Sequence, residues 1–147
     1  MRGRGRESLK MQRILIIEDE PEIRKLLARR LSALHFETLE AGDGSSGLQK
    51  AKRLKPDLII LDLMMPGEDG LQIYQTMRKD PLFQTVPVLF LTAISTGSKM
   101  SREGLALIAS AKHGFKLDGK FEVIGKPYDS KQLLETIRRM LESSSGE

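Results

Sequence analysis

The sequence predicts an α/β domain: a parallel five-stranded sheet covered by helices on both faces. Three observations carry this expectation. Short apolar runs rich in β-branched residues alternate with amphipathic stretches, strand then helix, five times along the 147 residues. The clearest runs are apolar at nearly every position, as strands buried on both faces are, instead of alternating with polar residues. Four of the five runs end in a polar group, at Glu18-Asp19, Asp62, Thr92 and Lys126. In a parallel sheet with right-handed crossovers those ends fall along one edge.

Taken in order, Ile14-Leu15-Ile16-Ile17 is the first strand and runs into Glu18-Asp19-Glu20. Pro21 suits the first turn of a helix, where its missing N–H is not needed, and Ile23, Leu26, Leu27, Leu31 and Leu34 follow at helical spacing. Phe36 to Ala41 is a weaker second strand. Gly42-Asp43-Gly44-Ser45-Ser46-Gly47 fits G-x-G-x-x-G, with Asp62 near the distance of a ribose-binding acid. That fingerprint belongs after the first strand of a dinucleotide fold, and a single domain leaves little room for both halves of one. The stretch is therefore read as a mobile loop with Asp43 as an N-cap.

Leu48, Ala51 and Leu54 carry the second helix, which ends before Lys55-Pro56. Leu58-Ile59-Ile60-Leu61 is the third strand, stopped at Asp62 and followed by a Pro66-Gly67 turn. Asp69 offers an N-cap for a third helix with Leu71, Ile73, Tyr74 and Met77, closed by Asp80-Pro81. Val86 to Leu91 is the fourth strand and ends at Thr92-Ala93. From there to Gly119 the pattern is loose: Leu105, Ile108 and Ala109 keep helical spacing, while His113-Gly114 and Asp118-Gly119 bracket an exposed loop. Phe121 to Ile124 is the fifth strand, leading to Gly125-Lys126-Pro127. Leu133, Leu134, Ile137 and Leu141 share one face of a last helix starting near Ser130. Residues 13–142 thus form one domain, with 1–12 a basic disordered leader and 143–147 a flexible tail.

Composition narrows the function classes. There are no cysteines, which excludes disulfide frameworks, thiolate metal sites and cysteine nucleophiles, and fits a cytoplasmic setting. No apolar run approaches the ~20 residues that span a membrane, and the basic start lacks the apolar core of a secretory signal. Arg2, Arg4, Arg6, Lys10 and Arg13 against Glu7 account for the whole net charge of +4, so residues 14–147 sum to zero. Nucleic acid is accordingly not an expected partner of the folded part. His35 and His113 sit in polar surroundings and are assigned no role. Met64-Met65 is read as packing.

The four strand ends bring together three carboxylates, a hydroxyl and an amine. Crowded carboxylates raise one another's pKa unless a cation joins them. All-oxygen ligands with room for water favour Mg²⁺, held by one or two carboxylates together with a phosphoryl group. A carboxylate can then attack phosphorus to give an aspartyl phosphate while a lysine neutralises charge on the phosphoryl oxygens. Asp62 is the expected nucleophile, on the central strand if the sheet has the flavodoxin-like order 2-1-3-4-5. Each residue has a plainer reading: Asp62 as a turn cap, Thr92 as a strand-end cap, Lys126 as a surface lysine, Glu18-Asp19 as a solvated helix start. Their joint placement argues against coincidence.

The motifs Ile-Leu-Ile-Ile-Glu-Asp-Glu-Pro (14 to 21), Lys-Pro-Asp-Leu-Ile-Ile-Leu-Asp-Leu-Met-Met-Pro-Gly-Glu-Asp-Gly (55 to 70), Pro-Val-Leu-Phe-Leu-Thr-Ala (87 to 93) and Gly-Lys-Pro-Tyr (125 to 128) are jointly specific. Across residues 12 to 142 the chain resembles response-regulator receiver domains of two-component signalling. The resemblance implies that Asp62 accepts a phosphoryl group from a phosphohistidine on a sensor histidine kinase or phosphotransfer protein. It implies Mg²⁺ held by Asp19, Asp62 and the backbone carbonyl of Met64, with Glu18 nearby, and a cis peptide before Pro127. Thr92 would bind a phosphoryl oxygen and Lys126 would pair with the phosphate. The protein would be a cytoplasmic switch, not a turnover enzyme, acting through an unknown downstream protein, with a homodimer among its assemblies.

Two departures stand out. The family usually places Tyr or Phe where this chain has Val123; Phe121 lies two residues earlier, on the same face by strand parity. The path from Thr92 to Lys126, with its 94–120 segment, is about a dozen residues longer than usual, and such a loop is often functional or disordered. Two other functions compete with the switch. One is a pseudo-receiver that only binds partners. The other is a haloacid-dehalogenase-like phosphatase, which would need a second Asp where Met64 stands.

Overall fold

Each of the apolar runs becomes a strand of one parallel sheet. In a computed structural model that describes residues 11–92 and 101–145, these are β1 (Arg13–Ile17), β2 (Glu37–Ala41), β3 (Leu58–Asp62), β4 (Val88–Thr92) and β5 (Phe121–Gly125). Their order is β2-β1-β3-β4-β5, the expected 2-1-3-4-5. The helices are α1 (Pro21–Ala33), α2 (Gly44–Leu54), α3 (Gly70–Arg78), α4 (Arg102–Ile108) and α5 (Ser130–Ser145). The leader to residue 10, residues 93–100 of the long path and the last two residues lie outside the described residues. The α5 backbone runs to Ser145, into the segment expected as a tail.

Strand parity sorts the core into two layers. Leu15, Ile17, Ile59, Leu61, Val88 and Phe90 face α2, α3 and α4, where they meet Ala51, Leu71, Tyr74, Met77 and Leu105. Their alternate neighbours Ile14, Ile16, Leu58, Ile60, Leu89 and Leu91 face α1 and α5, against Leu27, Leu31, Leu133 and Ile137. β3 is buried at all five positions, Asp62 included. Removing Leu58 to Leu61 from water contributes roughly 1.5–3 kcal/mol per side chain, and this sets the strand at the sheet centre. Parallel pairing matches Ile14 with Leu58, Asp62 with Leu91, and Thr92 with Gly125, so the carboxyl ends of the strands are level.

Several local expectations need correction. Leu26 and Leu34 are exposed, because the α1 contact stripe is narrower than the apolar pattern and runs through Leu27, Ala28 and Leu31. The Gly42–Gly47 stretch is not a loop. Asp43 caps α2, accepting from the Ser46 N–H at 2.8 Å, and the helix starts at Gly44. The stretch bracketed by His113-Gly114 and Asp118-Gly119 is the expected loop, largely exposed but with Leu117 buried, and α4 reaches it through a π turn, Ala109–His113. Tyr74 Oη donates to the Asp118 carbonyl at 2.6 Å and fastens that segment to α3.

Candidate functional site

The level strand ends assemble the acidic cluster. Glu18 and Asp19 follow β1, Asp62 closes β3, and Thr92 closes β4. Lys126 follows β5, with its N–H donating to the Thr92 carbonyl at 2.7 Å. Glu18, Asp62 and Thr92 are buried and Asp19 half-buried. One carboxylate oxygen from each of Glu18, Asp19 and Asp62 lies within 4.8 Å of the others. Lys126 Nζ stands 3.3 Å from Glu18 Oε1 and 3.7 Å from Asp62 Oδ2.

Backbone donors fix these side chains. The Met64 N–H donates to Asp62 Oδ1 at 3.1 Å and aims the carboxylate, and the Glu20 N–H donates to Glu18 Oε2 at 3.1 Å. Arg24 braces the acidic turn from α1: Nη1 donates to the Glu18 carbonyl at 2.9 Å while Nε pairs with Glu40 at 3.1 Å. Desolvation raises the pKa of Asp19, and the hydrogen bond and charge of Glu18 raise it further; Lys126 pulls it down only in part. Three carboxylates with one ammonium leave two negative charges in a largely buried site, the charge a divalent cation would balance. The donors are all oxygen, and this set fits Mg²⁺.

β3 continues into a tight hairpin in which Met64–Met65 pair with Glu68–Asp69 around the Pro66-Gly67 turn. Gly67 has φ +75°, which suits glycine. Gly70 must be small, since a Cβ there would lie 2.8 Å from the Asp62 carbonyl oxygen. Met65 packs in the core as expected of the pair, whereas the Met64 side chain is 62% exposed.

Other residues near the site escaped sequence reasoning. Both Glu68 carboxylate oxygens accept the Gly44 N–H, at 2.9 and 3.1 Å, so a carboxylate of this chain already occupies the α2 N-terminus where a dinucleotide would place its phosphates. The glycines of the G-x-G-x-x-G stretch serve packing: a Cβ at Gly47 would lie 2.5 Å from Ile17 Cδ1. His113, assigned no role, bonds Asp69 Oδ2 through Nε2 at 2.8 Å, and Lys112 pairs with the same oxygen at 3.2 Å. Neither contact has a local sequence signature; each joins residues distant in the chain.

Val123 and Phe121 share the face expected from parity. Phe121 is locked in the core by Phe90 and Tyr74, with ring centroids 6.1 and 6.2 Å away, and Arg102 covers it at 4.3 Å. It is a packing residue at the start of β5, four positions before the strand ends at Gly125, and does not replace the missing aromatic. The Lys126-Pro127 peptide is cis, as the resemblance implied.

A doubly wound sheet with a buried acid at the end of its central strand, two further acids and a lysine around it, defines a phosphoryl-accepting regulatory domain. The chain belongs to the response regulator receiver domain family, whose profile matches residues 14–138. It is 37% identical over 131 residues to the DNA-binding dual master transcriptional regulator RpaA of Synechocystis, an alignment covering 89% of this chain and 49% of the relative. Among solved structures it is similar to the chemotaxis protein CheY4 of Vibrio cholerae, with TM-score 0.72, 25% identity, and 89% and 99% of the two chains covered. It is also similar to the BeF3-activated N-terminal receiver domain of RstA from Klebsiella pneumoniae, with TM-score 0.69, 27% identity and coverage of 88% and 98%. The chain spans about half the length of the first curated relatives it matches. Among the described residues no helix is long and apolar enough to cross a membrane.

Proposed function

We propose that Asp62 is the phosphoacceptor of this receiver domain and that Glu18, Asp19, Asp62 and the Met64 carbonyl form its Mg²⁺ site. The observation that carries this reading is the cluster of three carboxylates within 4.8 Å, two of them buried, with Lys126 alongside. Asp62, aimed by the Met64 N–H, supplies the carboxylate oxygen that attacks phosphorus. The bond formed is O–P on Asp62, and the bond broken is N–P on the donor phosphohistidine, whose nitrogen keeps the electron pair. Lys126, already within reach of Asp62, neutralises charge on the transferred phosphoryl oxygens, and the Thr92 hydroxyl at the neighbouring strand end binds one of them. Bound Mg²⁺ would neutralise phosphoryl charge between donor and acceptor.

The domain then acts as a cytoplasmic switch that takes its phosphoryl group from a sensor histidine kinase or phosphotransfer protein and alters binding to a downstream protein. A turnover phosphatase is disfavoured by the apolar, exposed side chain of Met64 where a general acid would stand. The test is intact mass after exposure to a small acyl phosphate, with and without Mg²⁺, on wild type and Asp62→Asn. A Mg²⁺-dependent, base-labile adduct in wild type alone is the expected result. No adduct under any condition would leave a phosphorylation-independent interaction domain, and continuous phosphate release would indicate a phosphatase.

A further inference from the structure

The segment between β4 and β5 is longer than the family's usual, and the structure shows what its far end touches. α4 is seated on the sheet by Leu105 and Ala109, both buried, and its chain widens into a π turn over Ala109–His113 before stopping at Gly114, φ +68°. A π turn inserts an extra residue and so changes the direction in which the last side chains leave the helix; such turns recur at functional positions. Here the turn delivers His113, with its side chain 10% exposed, onto Asp69 at 2.8 Å, and Lys112 onto the same carboxylate at 3.2 Å.

Asp69 is not a peripheral residue. Its other oxygen caps α3, accepting from the Leu71 N–H at 2.9 Å. Its backbone pairs with Met64 across the hairpin, and the Met64 N–H orients the Asp62 carboxylate at 3.1 Å. The next residue, Gly70, lies directly against the Asp62 carbonyl and donates its N–H to Leu63 O at 3.1 Å. A short covalent and hydrogen-bonded path therefore runs from His113 through Asp69 and Met64 to Asp62. On the opposite side Glu68 ties the same hairpin to α2, so the acceptor loop is clamped between two helices.

We propose that His113 is a positioning residue for Asp62: its bond to Asp69 holds the acceptor hairpin in register and couples phosphorylation to α4. The coupling part rests on Asp62 being the acceptor. The contact supplies this chain with a link between acceptor and α4 that does not pass through position 123, where the family's aromatic is replaced by valine. It gives the long β4–β5 segment a definite task at its carboxyl end. Lys112 adds charge at Asp69 but, being largely exposed, holds no fixed geometry, so the imidazole is the positioning group.

The experiment uses the full chain as wild type, His113→Ala, His113→Gln and Lys112→Ala. Hydrogen exchange of residues 63–70 and 102–113 is measured before and after treatment with a small acyl phosphate and Mg²⁺, alongside the rate of adduct formation by intact mass. In wild type the adduct changes exchange in 102–113. In His113→Ala, exchange at 63–70 rises before any phosphodonor is added, the adduct forms about threefold or more slowly, and the 102–113 response is lost. His113→Gln, whose amide can still donate to Asp69, restores much of all three, and Lys112→Ala resembles wild type. Unchanged exchange at 63–70 in His113→Ala overturns the positioning role, whether or not the protein is phosphorylated. A phosphorylation response of 102–113 that survives in His113→Ala overturns the coupling. Absence of an adduct in wild type, with the 63–70 effect intact, overturns Asp62 as acceptor and the coupling with it while leaving the hairpin clamp standing.

Discussion

Replacing Asp62 by Asn tests the electrostatic logic of the site apart from its chemistry. The Asp62 charge lies within 4.8 Å of carboxylate oxygens on Glu18 and Asp19 and 3.7 Å from Lys126 Nζ. At an effective dielectric near 20, each carboxylate repels it by about 3.5 kcal/mol and the ammonium attracts it by about 4.5 kcal/mol. Two repulsions outweigh one attraction by about 2.5 kcal/mol, and weakening the bond from the Met64 N–H, once its acceptor is no longer a carboxylate, takes back about 1 kcal/mol. Asparagine keeps the shape and removes the charge. The metal-free variant is therefore expected to be more stable than wild type by about 1.5 kcal/mol, a rise in Tm of roughly 3–6 °C. Mg²⁺ bound at the proposed site is expected to reverse the ranking, because the folded wild type would offer it one more carboxylate than the variant. Thermal melts of both proteins in chelator and in saturating Mg²⁺ read this directly. A variant less stable than wild type in chelator, or an equal gain from Mg²⁺ in both, would refute the claim that uncompensated carboxylate charge shapes the site.

Lys126→Met removes the cation that faces both Glu18 and Asp62, so it is expected to lower the metal-free Tm and slow adduct formation by at least about tenfold, measured by melts and intact mass. Asp19 has a folded pKa above its ordinary 3.8, so its contribution to stability is fully present below that value and is lost as pH rises through the folded pKa. Urea melts of metal-free Asp19→Asn across that range should show a flatter decline with pH than wild type. Asp69 behaves oppositely: desolvation works against its charge, but the Leu71 N–H, His113 and Lys112 prevail and lower its pKa, so its stabilisation is present above 3.8 and fades as pH falls through the folded value. Asp69→Ala should accordingly cost about 1 kcal/mol at neutral pH and much less in acid, by the same melts. Gly47→Ala gains helix propensity worth up to about 1 kcal/mol but drives a methyl to 2.5 Å from Ile17 Cδ1, and a net loss of roughly 1–2 kcal/mol is expected in urea.

The sheet and the principal acids were legible in the sequence because their signals are local. A strand buried on both faces must be apolar at every position, and Leu58 to Leu61 declare this without reference to any other residue. Asp43 and Asp69 could be read as caps for the same reason: a cap bonds an N–H two or three residues away. Parallel topology then makes strand ends coincide, which is why Glu18, Asp19, Asp62, Thr92 and Lys126 could be gathered before any coordinates. What the sequence left open was where side chains meet across elements. The apolar spacing of α1 included Leu26 and Leu34, yet only packing against the sheet decided that Leu27 and Leu31 are buried and those two are not. The G-x-G-x-x-G stretch is set aside as a dinucleotide fingerprint by its place after the second strand, but only folding puts Glu68 on the helix start and Ile17 against Gly47.

By itself, then, the sequence determined the strands, their alternation with helices and the polar groups at the strand ends, because burial and capping are set by residues close in the chain. Only the tertiary structure decided that His113 reaches Asp69, 44 residues away, and that the long β4–β5 segment is thereby tied to the hairpin that follows Asp62. The physical reason is that a polar side chain acquires a role from the partner that folding places within hydrogen-bond distance, and composition near His113 carries no record of that partner.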